Sequence, residues 1–271
     1  MSANSKKEMV VVAMSGGVDS SVAACVLLRA GYDVVGITMK TYTFDEVGGN
    51  LGNETSCCGL DAFNDARRVA VHLGIPHYVV DFTGEFESEV IDNFEEEYLK
   101  GRTPNPCIIC NRKIKWGALL RKAESLGAAH LATGHYARTE FDATTGRYRV
   151  LRARHLPKDQ SYALWGLGQE ALSKTLFPLG HLTKEEVRAV ARENGIPTAE
   201  KEESFEICFV ADNNYRRFIA ERHPLRRSPR ETRGRGGRAS RTLQSQRPAT
   251  ADRPGHGVPD HLLRRRPERA G

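Results

Sequence analysis

The sequence predicts an α/β protein built on a doubly wound, mainly parallel sheet. Apolar runs of strand length alternate along the chain with segments whose apolar residues recur at helical spacing. The first apolar run is joined to the first helical segment by a glycine turn. Strands that alternate with helices form parallel sheets covered on both faces, and such sheets bind ligands at the carboxyl ends of their strands.

In the first half of the chain, buried strands are predicted from continuous apolar runs, and helices from apolar residues three or four apart. The first helix follows the glycine turn and ends at Gly31, as helices commonly end at glycine. The elements, in order, are strand Val10–Met14, helix 22–30, strand Val34–Met39, helix Asp61–Leu73 and strand Pro76–Phe82.

In the second half, spacing and capping residues define the elements. A helix spans residues 86–98 with apolar side chains four apart, and another spans 106–126 with Asn105 as N-cap and Pro106 first. Thr183 and Glu186 form a capping box that starts a further helix. Between these helices we expect strand His130–Ala137 and a strand pair around "TTGRYRVLRA".

The positive charge of the chain is concentrated at its C-terminal end. The chain carries +6 overall, but residues 226–271 hold 13 Arg, no Lys and 4 acidic residues, while residues 1–225 carry −3. This tail has few large apolar residues, and we expect it to be disordered. It is either a basic nucleic-acid-binding arm or an out-of-frame translation of GC-rich DNA, which is the interpretation we favour.

Outside the tail, the composition is typical of a globular protein, and we expect a cytoplasmic one. No apolar run approaches the length of a membrane span, and the polar first residues do not resemble a secretory signal. The 6 cysteines are therefore expected to be catalytic or metal-binding rather than disulfide-bonded for stability. Cys25 is expected in the core, and Cys57 and Cys58 in a loop without an assigned role.

The turn after the first strand reads Ser-Gly-Gly-Val-Asp-Ser-Ser and predicts a phosphate-binding loop. Two glycines let backbone N–H groups approach an anion, and the following helix adds the positive end of its dipole. Asp19 either serves a magnesium or pyrophosphate site, which we favour, or is only an acidic residue at a helix start.

The stretch "TPNPCIICNRKIKW" places two cysteines one helical turn apart. They could form a metal clip, a redox pair, a nucleophile with a bystander, or two buried apolar residues. The helix start and the basic residues that follow favour a thiolate at Cys107 or Cys110. A third cysteine, Cys208, lies in "ESFEICFVAD" about a hundred residues downstream.

Several strings together resemble the tRNA-specific 2-thiouridylase family of the ATP pyrophosphatase superfamily. They are "MSGGVDSSVAA", "GRTPNPCIICNRKIKWGALL", "ATGHYAR", "KDQSYAL", "FPLG", "GIPTAEKEES" and "YRRFIAERHP", in the family's order from about Val10 to Pro224. The resemblance implies an adenine nucleotide alpha hydrolase-like domain over residues 1–210. It also implies the start of a central tRNA-binding domain at 211–225, after which the tail 226–271 departs from the family.

The resemblance implies ATP-dependent 2-thiolation of the wobble uridine of tRNA. ATP, with magnesium, adenylates the uridine C2 oxygen, and an enzyme persulfide delivers sulfur supplied by a cysteine desulfurase or a sulfur-relay protein. Cys110 would be the nucleophile and Cys208 the persulfide carrier. No membrane partner is implied.

The remaining site residues also transfer from the family by motif. The nucleotide site would comprise Ala13, Met14, Ser15, Gly16, Gly17, Val18, Asp19, Ser20, Met39 and Gly134. The target base would contact Asn105, Pro106 and Cys107, and tRNA would contact His135, Lys158, Asp159 and Gln160.

Position 107 departs from the commonest family pattern, which has Asp as a general acid/base. The cysteine found here leaves open an iron–sulfur cluster on Cys107, Cys110 and Cys208, a metal site that we rank below the disulfide mechanism. Two competing functions also stay open. One is that of another ATP pyrophosphatase, such as an amidotransferase-linked synthetase. The second is that of a nucleotide-sensing module with a basic RNA-binding tail.

Overall fold

The computed structural model describes residues 7–42, 60–202, 207–210, 212 and 214–223. Within these ranges no helix is long and apolar enough to cross a membrane. Cys57, Cys58, the tail 226–271 and part of the segment 211–225 lie outside the described residues. The predictions made for them, including the domain boundaries, stay predictions.

The main sheet has five parallel strands in the order β3-β2-β1-β4-β7. The strands are β1 (Met9–Ala13), β2 (Asp33–Lys40), β3 (His77–Asp81), β4 (His130–Ala132) and β7 (Thr175–Leu176). Strands β5 (Ala137–Asp142) and β6 (Arg147–Arg152) form a separate antiparallel hairpin. The predicted fold class, an α/β protein with a mainly parallel sheet, is confirmed.

The central strand explains why the sequence shows an unbroken apolar run there. Val10, Val11 and Val12 are fully buried. Val10 and Val12 belong to one core and Val11 to the other, since successive side chains of a strand point to opposite faces. Both faces are therefore covered, as in a doubly wound sheet.

Helices α1, α2 and α8 contribute to the core that contains Val10 and Val12, and the helices between residues 83 and 125 contribute to the other. The helices are α1 (Val18–Arg29), α2 (Leu60–Leu73), α3 (Thr83–Phe86), α4 (Asp92–Leu99), α5 (Pro106–Cys110), α6 (Leu120–Ser125), α7 (Gln169–Ser173), α8 (Lys184–Glu193) and α9 (Tyr215–Arg222). π-Helical segments at Glu87–Ile91 and Asn111–Leu119 join α3 to α4 and α5 to α6.

One sequence prediction needs correction, and one strand was missed. The strand expected over 130–137 ends at Ala132, and residues 133–136 leave the sheet before β5 begins in the hairpin. The apolar pattern runs through both pieces because Tyr136 and Ala137 are also buried. The fifth strand, β7, was not predicted because two residues carry no periodicity. The capping box of Thr183 and Glu186 is confirmed.

The last described helix packs onto the core through aromatic contacts. Phe218 of α9 is 5.5 Å from Phe209 and 6.2 Å from Phe94, measured between ring centroids. Phe209 in turn lies edge-on to Phe94 and Phe86. These rings hold the segment that contains Cys208 against α3 and α4.

Candidate active site

A cavity of about 340 Å³ opens at the carboxyl ends of the strands and joins the two motifs that the sequence singled out. Its walls include Ser15, Asp19 and Ser20 of the loop after β1, and Cys107, Cys110 and Cys208. This volume is typical of a small-molecule site. The parallel sheet therefore brings the predicted phosphate loop and all three predicted thiols to one place.

The loop after β1 has the geometry of an anion cradle. Gly16 has a φ of +72°, and a Cβ there would lie 2.3 Å from the carbonyl oxygen of Ala62. The Ser15 N–H donates to Ser20 Oγ at 3.1 Å, which closes the turn. Within the described chain no side chain caps α1, whose N-cap is Gly17. The first N–H groups of α1 and the positive end of its dipole therefore suit a phosphate group.

Asp19 carries an interaction that sequence reasoning missed. Its Oδ1 accepts hydrogen bonds from Lys184 Nζ at 2.7 Å and from the Tyr136 hydroxyl at 2.8 Å. The Lys184 side chain is 9% exposed and that of Asp19 31%. Lys184 begins α8, so this helix places a cation directly behind the phosphate loop. The only signal in the sequence was the capping box that fixes where α8 starts.

Gly134, two residues after β4, brings the chain close against the phosphate loop. A Cβ at this position would lie 2.8 Å from both Asp19 C and Ser20 N. Real Cβ atoms essentially never come so close, so only glycine fits without displacing the loop. Glycine at 134 therefore permits the close approach of backbone that defines this wall of the cavity.

The cysteine-bearing helix begins as the sequence predicted. Asn105 Oδ1 accepts from the N–H groups of Cys107 and Ile108, and Pro106 is the first helical residue. Cys107 is exposed and Cys110 is partly buried, and both line the cavity. Cys208 lines the same cavity, and the Tyr42 hydroxyl, after β2, donates to its carbonyl oxygen at 2.7 Å.

His135 lines the cavity between Thr133 and two aromatic rings. Its Nδ1 is 2.7 Å from Thr133 Oγ1, and the ring packs against Trp116 and Phe177. Burial, and secondarily the nearby Lys115 ammonium, hold the pKa of His135 well below its ordinary value. Part of the ring surface still faces the cavity.

The remaining predicted residues divide between the cavity wall and supporting positions. Ala13, Met14, Met39, Gly134, Pro106 and Gln160 also line the cavity, whereas Gly16, Gly17, Val18, Asn105, Lys158 and Asp159 are not among its lining residues. Asp159 instead accepts hydrogen bonds from Ala153 N–H and the Ser161 hydroxyl. Cys25 lies in the core, as expected, and burial there raises the pKa of its thiol.

The described residues contain no group of three or more His, Cys, Asp or Glu side chains arranged to hold a metal ion. Cys107, Cys110 and Cys208 share a cavity, but their placement adds no support to an iron–sulfur cluster. The cluster stays an alternative, ranked below the disulfide mechanism, to be tested chemically.

The family assignment follows from the chain itself and from its relatives. Residues 8–212 match the model of the tRNA methyl transferase HUP domain. The chain belongs to this family. It is 57% identical over 218 residues to the tRNA-specific 2-thiouridylase of Heliobacterium modesticaldum, which covers 80% of this chain and 56% of that protein. It is 53% identical over 221 residues to the one from Cytophaga hutchinsonii, with coverages of 81% and 59%.

These relatives confirm the resemblance read from the motifs, and the chain spans less than three fifths of their length. Among solved structures, a 4-thiouridine synthetase–RNA complex with bound ATP matches with a TM-score of 0.49 at 19% identity, covering 80% of this chain and 50% of that one. The NMN synthetase of Francisella tularensis matches with a TM-score of 0.45 at 14% identity, covering 80% and 77%.

Proposed function

We propose that this chain forms the catalytic unit of an enzyme that replaces the C2 oxygen of the wobble uridine of tRNA with sulfur, at the expense of ATP. The observation that carries the proposal is the single cavity lined by Ser15, Asp19 and Ser20 together with Cys110 and Cys208. A reaction that adenylates a carbonyl oxygen and then displaces it with sulfur needs both sets of groups around one carbon atom. The relatives named as 2-thiouridylases support the same reaction.

In the first step the phosphate loop holds ATP so that the uridine C2 oxygen attacks its α-phosphorus and pyrophosphate leaves. The Ser15 and Ser20 hydroxyls and the first N–H groups of α1 stabilise the phosphate charge. The Asp19 carboxylate is the residue that would hold magnesium, which neutralises phosphate charge when bound. Lys184 keeps that carboxylate in place through its 2.7 Å contact.

In the second step a persulfide on Cys208 attacks C2, and AMP leaves. The Cys110 thiolate then attacks the Cys208 sulfur, breaks the S–S bond and leaves sulfur on the uridine as 2-thiouridine. Cys110 and Cys208 end as a disulfide, which an external thiol must reduce before the next turnover. A cysteine desulfurase or sulfur-relay protein reloads Cys208 with sulfur.

The test combines two readouts on the 271-residue chain. Pyrophosphate release is measured with ATP and a tRNA carrying uridine at the wobble position, and 2-thiouridine is then detected by mercury-gel retardation after a persulfide donor is added. Cys110→Ser and Cys208→Ser should release pyrophosphate but form no 2-thiouridine. Cys25→Ala, which changes a core thiol, should behave as the parent chain.

Competing functions predict different outcomes in the same assays. Pyrophosphate release driven by a small carboxylate or amide donor, with no dependence on tRNA, would identify another ATP pyrophosphatase and refute the proposal. An iron-dependent absorption band near 400 nm in anaerobically purified protein, lost together with activity in Cys107→Ser, would favour the cluster mechanism over the disulfide one.

A further inference from the structure

Two aromatic side chains project into solvent beside the candidate site and have no role in the core. Tyr162 is 62% exposed and Trp165 is 69% exposed. They belong to a tight turn that follows Gln160, a residue of the cavity wall. An exposed tryptophan adds a large apolar face to the surface, so two such rings next to a site indicate an interaction surface.

The turn that carries the two rings is anchored from below. Ala163 and Leu164, which lie between them, are 6% and 1% exposed. The buried Asn111 side chain donates to the Ala163 carbonyl oxygen at 3.0 Å, and the Ser161 hydroxyl donates to Asp159 at 2.8 Å. Asn111 follows Cys110 directly, so the turn is fixed to the helix that carries the predicted nucleophile. The rings are therefore held at a set distance from the cavity.

Basic side chains accompany the rings. A Cβ on Gly166, the residue after Trp165, would lie 3.3 Å from the Arg112 side chain, so Arg112 lies against the turn. Arg112 is itself exposed. Lys115 from the same helix lines the cavity, and Lys158 precedes the turn. Aromatic faces combined with cations are the elements with which proteins bind unpaired nucleic-acid bases and their phosphates.

We propose that Tyr162 and Trp165 form a stacking platform for unpaired bases of the RNA loop that flank the base held in the cavity. The proposal rests on the proposed function only in taking RNA as the substrate class. A base stacked on Trp165 would fix the position of its neighbour relative to Cys110, and Arg112 would contact the connecting phosphate. The platform would bind unpaired loops in preference to duplex RNA, since only unpaired bases expose a free face.

The test measures RNA binding without ATP or a sulfur donor, using the full chain. The probe is a fluorescein-labelled RNA hairpin whose loop carries uridine at the wobble position, and a blunt duplex serves as the comparison. Trp165→Leu, which keeps an apolar side chain but removes the ring, should weaken hairpin binding about tenfold, and Trp165→Phe should retain most of it. Tyr78→Ala removes another exposed ring, 56% exposed, from the edge strand β3 and should leave binding unchanged.

Intrinsic fluorescence gives a second readout because the chain has 2 Trp. Trp116 is 6% exposed and donates to Thr175, so iodide quenches Trp165 selectively. The hairpin should protect Trp165 from iodide. Unchanged hairpin affinity in Trp165→Leu would overturn the platform. Protection of Trp165 from iodide that rises with protein concentration in the absence of RNA would also overturn it, because that result indicates a second copy of the chain on this surface. RNA binding that depends on Trp165 in a chain unable to form 2-thiouridine would support the platform while refuting the proposed function.

Discussion

Replacing Gly134 with alanine adds one methyl group at the point where β4 meets the phosphate loop. The new Cβ would lie 2.8 Å from Asp19 C and Ser20 N, whereas ordinary contacts begin at 3.4 Å. Both atoms belong to backbone at the start of α1, so the clash cannot be relieved by rotating a side chain. The loop or the end of β4 must move by about 0.6 Å.

The magnitude follows from what that displacement disturbs. Overpacking at a site with no room costs about 1–3 kcal/mol of stability. If the loop moves, one N–H group that serves a charged phosphate loses its geometry, which is worth about 1.5–3 kcal/mol. The dissociation constant for ATP should therefore rise between about tenfold and a hundredfold.

The assay is calorimetric titration of ATP into the parent and the variant, with urea unfolding as a check on stability. Gly84→Ala is the matched control, since a Cβ there meets nothing within 4 Å and Gly84 lies inside α3. This control should keep its ATP affinity and gain up to about 1 kcal/mol of stability. A Gly134→Ala protein that binds ATP as tightly as the control would refute the view that β4 positions the loop.

Three further predictions follow from the site. Lys184→Met should lower the free energy of unfolding by about 2 kcal/mol because the Asp19 carboxylate loses its cation. In a double-mutant cycle measured by urea unfolding, Asp19→Asn should remove most of that loss. Additive effects of the two substitutions would contradict a direct interaction between the side chains. The pKa of His135 is lowered in the folded chain, so below about pH 6.5 the unfolded chain binds a proton that the folded chain does not, and stability should fall as the pH drops. His135→Gln should flatten the dependence of the unfolding free energy on pH by up to about 1.4 kcal/mol per pH unit. An unchanged slope would show that His135 is not the source of this dependence. Asn105→Ala should cost about 1 kcal/mol through loss of the cap on α5, and no change in urea unfolding would show that the cap is dispensable.

The sequence was most informative where local chemistry decides the structure. Asn105 and Pro106 begin a helix, and Thr183 with Glu186 begins another, because capping satisfies backbone groups within a few residues. The apolar run of β1 gave a buried parallel strand because its side chains face two cores. The glycine pair predicted a tight loop after β1, and the structure has one because Gly16 adopts a positive φ.

What the sequence could not predict depends on contacts between distant segments. The ion pair of Lys184 with Asp19 joins residues 165 positions apart, and no local pattern marks it. The end of β4 was missed because Tyr136 and Ala137 are buried although they lie outside the main sheet. An apolar pattern reports burial, and here burial continues beyond the last residue that pairs in that sheet. The shared cavity of Cys110 and Cys208 was expected from family resemblance. Its physical reason is that both segments pack at the carboxyl ends of the strands of the main sheet.

The hydrogen bond from Tyr42 to the Cys208 carbonyl has a consequence for how the site comes into being during synthesis. It joins the end of β2 to a segment 166 residues later. A nascent chain can pair β1, β2, β3 and β4 before Cys208 leaves the ribosome, since those strands end at Ala132. If the strands pair in that order, Cys110 in α5 would already lie beside the sheet when Cys208 emerges. The two thiols would then meet only after the other walls of the cavity had formed.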